Sequence, residues 1–439
     1  MDREVCGLRG LVTEVPRSGG DMAASDRRDP LSSHVIGTAQ EGRSGYYWAP
    51  LVAATVSVIL VSVSFLAFTS PTDGYIRGRT ATMTTETVDS LVDVGRYNSI
   101  AVDSNNYVYI AYIDDTNDDL KYATNAGGSW ATYVVDSAGY FGLYASLAID
   151  SNDKLHISYM DSMNKYLKYA TNADGSWAIS VVDSTGWDGG HTSIAVDSYN
   201  KVHISYVEIM YHELEYATNA GGSWATYTID TDHSVLDSSI AVDSNNKVHI
   251  SYGDSWGYLE YATNAGGSWT CCVVDSTGFS NCGTSIEVDS NNMIHISYYN
   301  ETSGLRYATN AGGSWTNRTV DSVTELVSWT SIGVDLNDMI HISYNDETNH
   351  YLKYATNAGG SWTNCTVESI GEVVTYTGST SIDVDSNNTV HISYYYYTGG
   401  DLKYATITGV PIPEFSTVIV PALGLICLVV MSGRRRKVV

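Results

Sequence analysis

Apolar and polar positions alternate through most of this chain, and the alternation breaks at regular intervals. In residues 239–269, SIAVDSNNKVHISYGDSWGYLEYATNAGGSW, β-branched and aromatic residues alternate with small polar ones over 239–243, 248–252 and 259–262, and again over 269–275. A period of two marks strands with one buried face. Asn245-Asn246 and residues 264–267 separate the runs. Asn and Gly tolerate the positive φ of tight turns. The pattern predicts four short strands per unit and no helix, because no apolar stripe of helical period occurs within it.

The unit recurs. The Asp that closes Ser-(Ile/Leu)-x-(Val/Ile)-Asp stands at Asp103, Asp150, Asp197, Asp243, Asp289, Asp335 and Asp385, with gaps of 47, 47, 46, 46, 46 and 50 residues. Seven units of that length are the signature of four-stranded propeller blades. The seventh unit ends at Tyr404-Ala405-Thr406 without a Gly-Ser-Trp strand, and Thr85-Glu86-Thr87-Val88-Asp89-Ser90 precedes the first. That fragment matches Thr132-Tyr133-Val134-Val135-Asp136-Ser137 at Thr, Val, Asp and Ser. The expectation is an all-β, seven-bladed propeller over 80–408, closed by an N-terminal strand that removes both free sheet edges. An open solenoid would need polar capping repeats, and none is visible.

The flanks differ from the repeats. Residues 1–45 are polar, without periodicity, and read as disordered. Within 46–69, a run of twenty uncharged residues (49–68) comes directly after Tyr46, Tyr47 and Trp48. It is long enough for one bilayer crossing. It reads as an anchor or as a secretory signal, and either exports the repeats. Of 23 basic and 49 acidic residues, six and seven lie in 1–69 and four and one in 413–439, leaving 13 basic and 41 acidic between. That field repels nucleic acid and anionic lipid.

Residues 409–439 hold Pro413-Glu414-Phe415, an apolar run over 417–431, and Arg434-Arg435-Arg436-Lys437. This order resembles the archaeal PEF-type C-terminal sorting signals. The resemblance implies an archaeosortase-type peptidase as partner, cleavage near Pro413, Glu414 and Phe415, and transfer to a surface anchor; a plain membrane tail is the alternative. Sequons at Asn300, Asn317, Asn364 and Asn387 are candidate glycosylation sites of an exported chain. Cys271 or Cys272 pairs with Cys282 at most singly, since adjacent strand residues face opposite ways.

The turn Ala-Thr-Asn-Ala-Gly-Gly-Ser-Trp at 262–269 resembles the Asp-box of sialidase-like propellers, Ser-x-Asp-x-Gly-x-Thr-Trp. Asn264, Gly266, Ser268 and Trp269 fill the Asp, Gly, Thr and Trp positions, and Ala262 replaces the first Ser. The motif recurs at Trp130, Trp177, Trp224, Trp269, Trp315 and Trp362, with Asp174 at the Gly position of the second copy. The resemblance implies a folding element on the face opposite an active site. It does not bring sialidase activity, because the five arginines between 70 and 412 (Arg77, Arg79, Arg96, Arg306, Arg318) offer no recurring triad for a substrate carboxylate. His156, His203, His249, His295, His341 and His391, with Tyr109 in the first unit, recur at one place and read as packing elements rather than a metal or catalytic set. The Asp-Ser-Asn-Asn turns read as Asx-type turns, with calcium as the alternative; no cofactor is expected otherwise.

Two of the four connections per unit are uniform and two vary. In an antiparallel blade the variable pair shares one face, where recognition residues gather on a rigid scaffold. Trp187, Trp256, Trp329, Tyr211 and Tyr396 are the candidate ligand-binding residues, suited to sugar rings or a protein partner. The sequence points first to an exported, surface-anchored, non-catalytic propeller that binds glycan or protein in the cell envelope. A carbohydrate-active hydrolase or lyase is the second reading, with Asp115, Asp188, His191 and Glu208 available or a His–Tyr pair at the funnel mouth. A structural envelope protein is the third. A deep pocket with two carboxyl groups would favour the enzyme, and a shallow aromatic disc the binder.

Overall fold

The computed structural model describes residues 81–409 apart from 92, 138–141, 186–188, 232–233, 323–326 and 372–378. The segments 1–45, 46–69 and nearly all of 409–439 lie outside the described residues, as do Trp187, Asp188 and the sorting motif. Among the described residues, no helix is long and apolar enough to cross a membrane.

Seven four-stranded antiparallel sheets form the fold. Blade 1 runs Val94–Val102, Val108–Asp114, Asp119–Thr124 and Ala131–Asp136, paired in that order. Blade 4 is Val235–Val242, Val248–Asp254, Leu259–Thr263 and Thr270–Asp275. Its first strand starts four residues earlier than the alternation predicts, because a bulge between Val235 and Asp237 breaks the period of two. Blade 7 takes three strands from the last repeat, and Thr82–Asp89 is its fourth, with Thr85 opposite Ala405 as Thr132 is opposite Ala123.

Several sets of polar contacts join the blades. On the first strands, each serine of one blade accepts the backbone amide of the next. Ser99 takes Leu147, Ser146 takes Ile194, Ser193 takes Ile240, Ser239 takes Ile286, Ser285 takes Ile332, Ser331 takes Ile382, and Ser381 takes Ile100, all at 3.0–3.2 Å. At the Asp-Ser-Asn-Asn turns a second ring repeats the pattern. The Asn or Asp in left-handed backbone at 106, 153, 200, 246, 292, 338 and 388 accepts the amide of the preceding blade's residue 386, 104, 151, 198, 244, 290 or 336. These turns also use their first Asp internally: Asp243 Oδ1 accepts the amides of Asn245 and Lys247.

The third set is ionic. A carboxylate at the end of each fourth strand accepts the buried tyrosine hydroxyl of the next blade, as Asp89 does from Tyr112 at 2.6 Å. In five blades a cation completes the bridge: Lys121 to Asp89 at 2.7 Å, Lys168 to Asp136 at 2.6 Å, Arg306 to Asp275 at 2.5 Å, Lys353 to Asp321, and Lys403 to Glu368. Burial alone would raise Asp89, but hydrogen bonds from Lys121 and Tyr112 carry it below the usual carboxylate range. Blades 3 and 4 carry Glu215 and Glu260 where the others carry the cation. There the Tyr252 hydroxyl lies 2.7 Å from both Asp230 and Glu260.

The core sits between blades. Each Asp-box tryptophan packs edge-on or tilted against a third-strand tyrosine of the preceding blade, from Trp130 on Tyr404 at 5.1 Å to Trp362 on Tyr307 at 5.2 Å. The seventh blade lacks that tryptophan, and Met83 joins the cluster of Tyr354 instead. Each recurring histidine is held between a tyrosine hydroxyl at 2.5–2.6 Å and the aspartate that closes its own first strand at 3.2–3.6 Å. Their place is structural.

Among the sequons, Asn317, Asn364 and Asn387 are exposed. Asn300 is fully buried, with its amide donating to the Thr277 carbonyl at 3.0 Å. A glycan there has no route to solvent in the folded blade, which corrects the expectation for that site. The side chain of Cys282 lies outside the described residues, and Cys271 and Cys272 are neighbours on one strand.

Lys121→Met strands a buried carboxylate, so urea unfolding should show a loss of about 3–5 kcal/mol; a loss well under about 1 kcal/mol would mean the bridge is idle. Burial holds His156, His203, His249, His295 and His391 below the usual histidine range, against the pull of their aspartates. The unfolded chain then takes up protons near pH ~6.5 while the folded one does not. Their contribution is complete above that pH and fades below it, by at most about 1.4 kcal/mol per pH unit for each histidine. His249→Gln should flatten the slope of unfolding free energy between pH ~6.5 and ~5 by about that amount.

Candidate functional site

The first strands of all seven blades line one axial cavity of about 130 Å³. Side chains two apart on a strand share a face, so the lining comes in layers. The serine ring described above forms one layer. One step deeper stand Ala101, Ala148, Ala195, Ala241, Glu287, Gly333 and Asp383. Burial pushes Glu287 up to about 7 and Asp383 up to about 6, against hydrogen bonds from backbone amides.

The layer above the serines is the mouth, at the end where the variable connections enter. It comprises Tyr97, Tyr144, His191, Asp237, Gly283, Trp329 and Ser379, one from each blade. These seven equivalent positions hold six residue types, whereas the serine two positions on does not vary. Four of the seven are bulky residues in left-handed backbone: Tyr97 (φ 49°), Tyr144 (φ 56°), His191 (φ 45°) and Trp329 (φ 55°). Such a conformation is uncommon outside Gly and Asn, costs of order 1–3 kcal/mol per residue, and clusters at functional sites.

The rings meet across the axis. His191 lies over Trp329 with centroids 5.9 Å apart and planes 13° from parallel, and Tyr144 sits 4.2 Å from His191. Tyr97 closes the group, 4.9 Å from Tyr144 and 6.3 Å from Trp329, edge-on to both. Asp237 Oδ1 is 3.2 Å from His191 Nδ1, and its Oδ2 accepts the Thr284 amide at 2.7 Å. Gly283 makes room: a Cβ there would come within 2.8 Å of the Trp329 Cα.

Of the candidate residues from the sequence, this mouth gathers only Trp329, with His191 from the enzyme set. Trp256 is exposed at a blade-4 loop tip, edge-on to Tyr258. Tyr211 lies in a separate groove between blades 2 and 3 with Asp183, Glu208, Glu213 and Glu215. Tyr396 packs under the Lys403 ammonium at 4.6 Å. Asp115 pairs with Arg96 at 3.0 Å, and burial pushes it up to about 6. Asp115 and Glu208 therefore do not share a pocket with His191. Among the described residues lining the mouth, Asp237 is the only carboxylate. Tyr97 and Asp237 were not legible as site residues; the signal is their column, two residues before the invariant serine. No group of three or more His, Cys, Asp or Glu among the described residues is arranged to hold a metal ion.

Similar solved structures are propeller proteins. An ulvan lyase bound to -[GlcA(1-4)Rha3S]- matches with a TM-score of 0.51 at 13% identity, over 73% of this chain and 95% of that one. The Aleuria aurantia lectin in complex with Fucα1-6GlcNAc matches at 0.46 and 14% identity, over 63% and 98%. A leech intramolecular trans-sialidase matches at 0.41 and 12%, over 74% and 70%. At such identity the likeness concerns the fold alone, an all-β, seven-bladed propeller. No family model and no curated protein matches the chain.

Gly283→Ala tests the packing that seats Trp329. It should cost about 2 kcal/mol or more, from positive φ plus the close approach. Gly267→Ala, at φ 92° with open space around it, should cost only about 1 kcal/mol. Equal urea midpoints for the two variants would dissociate Gly283 from the mouth.

Proposed function

We propose that the chain is an exported, surface-anchored, non-catalytic propeller that binds glycan at one axial site on its variable face. The observation that carries this reading is the mouth column. Every layer that joins blades repeats nearly unchanged, while this column alone collects four strained, mutually packed rings about the axis. Aromatic faces receive the apolar faces of sugar rings, and Asp237, His191 and Ser379 supply hydrogen-bonding groups beside them. A cavity of about 130 Å³ is smaller than the usual several hundred Å³ of an enclosing ligand pocket. A sugar therefore lies on the rings, with one unit dipping inward. A glycosidase would need two facing carboxyl groups, and one carboxylate supports a binder better. The polysaccharide carried by the ulvan lyase of this fold agrees with a carbohydrate ligand.

Anchoring belongs to the same proposal. Residues 46–69 would export or tether the chain, and the PEF-like tail would be processed at an archaeal envelope. Exposed Asn317, Asn364 and Asn387 would carry glycans there. Calcium remains an option that the reading does not need.

A glycan array followed by titration calorimetry with the folded chain is the test. One sugar site per chain, weakened at least tenfold by Trp329→Ala and little by Trp256→Ala, is the expected result. Several equivalent sites would move the ligand to the blade interfaces, and no binding would leave a protein partner or a structural role.

A further inference from the structure

Resting on the glycan reading of the mouth, we infer that the axial site takes uncharged sugar rings and excludes anionic glycans. Two independent features carry the inference: the absence of an available cation at the described lining, and the sign of the surrounding charge.

A uronate, sulfate or sialate brought against buried rings loses its hydration and needs a cation, best an arginine fork, to replace it. The described lining of the mouth contains no Lys or Arg. Arg96, next to Tyr97 in sequence, is turned to other work. Its guanidinium is 3.1 Å from Asp93 and 3.0 Å from Asp115, and it lies 5.3 Å from the centre of the Tyr395 ring. The five bridging cations between blades are likewise committed to fourth-strand carboxylates.

The ionisable side chains near the axis, His191 and the tyrosines apart, are carboxyl groups. Asp237 stands in the mouth layer itself, and Glu287 and Asp383 lie two layers below it. With 13 basic and 41 acidic residues over 70–412, the wider field repels a polyanion at long range as well. An uncharged pyranose meets neither penalty. It gains the ring faces of Trp329, Tyr97 and Tyr144, and exchanges hydroxyl hydrogen bonds with the rim.

The experiment titrates the whole chain with cellohexaose, mannohexaose and xylohexaose, and separately with polygalacturonate and chondroitin sulfate, at about 20 mM and about 500 mM NaCl, conditions that change screening severalfold. The expected result is binding of at least one neutral hexaose with a Kd that moves less than twofold with salt. Neither polyanion should bind at low salt. Binding of polygalacturonate or chondroitin sulfate that weakens in salt and is lost in Trp329→Ala overturns the charge inference and leaves the glycan reading standing. New absorbance from an unsaturated product in the polygalacturonate arm overturns both the charge inference and the non-catalytic reading. No binding of any of the five probes by a sample with an intact thermal transition overturns the inference for these sugars; failure on the glycan array as well removes the glycan reading itself.

Discussion

The structure depends on a hydrogen bond made seven times: a first-strand serine accepting the backbone amide of the next blade. Its donors and acceptors close on themselves, because Ser381 of the last blade takes Ile100 of the first. Each bond is worth about 1 kcal/mol net, but a serine lost from the ring leaves a part-buried amide without its protein partner. The turn-face ring repeats the constraint at the other end of the same strands. Where Leu336 replaces serine, the backbone amide still reaches Asn388 at 3.3 Å, so the second ring rests on the amide and survives loss of the hydroxyl. The buried Ser–Thr contacts allow one exchange of both partners. Ala111 and Ala145 stand where the other blades pair a serine with a hydroxyl, as in Ser158 with Thr192, or with the Asn98 amide oxygen, as in Ser393. Replacing both members by apolar groups avoids the cost of stranding one.

Near-identity of the repeats is thus what the joints require. A joint residue is seen by two blades, so it cannot change alone. Most residues at the variable end of the axis carry no such obligation; Asp237 and Ser379, which accept the amides of Thr284 and Asn98 in the next blade, are the exceptions. There the chain spends conformational energy rather than storing it in joints, holding four bulky side chains in left-handed backbone. The rings also restrain one another. His191 is packed between Tyr144 and Trp329, and Gly283 is small where Trp329 needs space. A site built from strand ends on a closed ring is more rigid than one built from the loops above it.

Strand count, blade count, turn chemistry and the tryptophan positions were legible in the sequence, because each repeats and each is tied to a period of two. The seventh blade's outer strand was legible by register alone. The mouth was not. A bulge at the start of six of the seven first strands interrupts the alternation, so stretches such as 235–238 read as loop, and Asp237 and Tyr97 vanish into them. Exposed loop aromatics such as Trp256 and Tyr211 drew attention by type, but they sit on separate blades. The ionic bridges were equally hidden: Lys121 and Asp89 lie 32 residues apart and belong to different blades. Asn300 carried a sequon whose neighbours gave no hint that its side chain faces Thr277.

The bridges also explain how the acidity reaches the surface. Lys121, Lys168, Arg306, Lys353 and Lys403 are turned inward to hold carboxylates between blades. Their charges cancel locally and contribute little outside. Arg96 is held the same way by Asp93 and Asp115. The charge that solvent meets is therefore more negative relative to the remaining cations than composition alone implies. Glu215 and Glu260 extend the trend into the joints of blades 3 and 4, where a carboxyl replaces the ammonium. A ring joined by neutral serine–amide bonds tolerates this, since those bonds do not depend on ionic strength as exposed ion pairs do. The same division of labour leaves the described lining of the axial mouth with aromatic rings, one carboxylate and no Lys or Arg, which is the basis for a selectivity resting on ring stacking and hydrogen bonding.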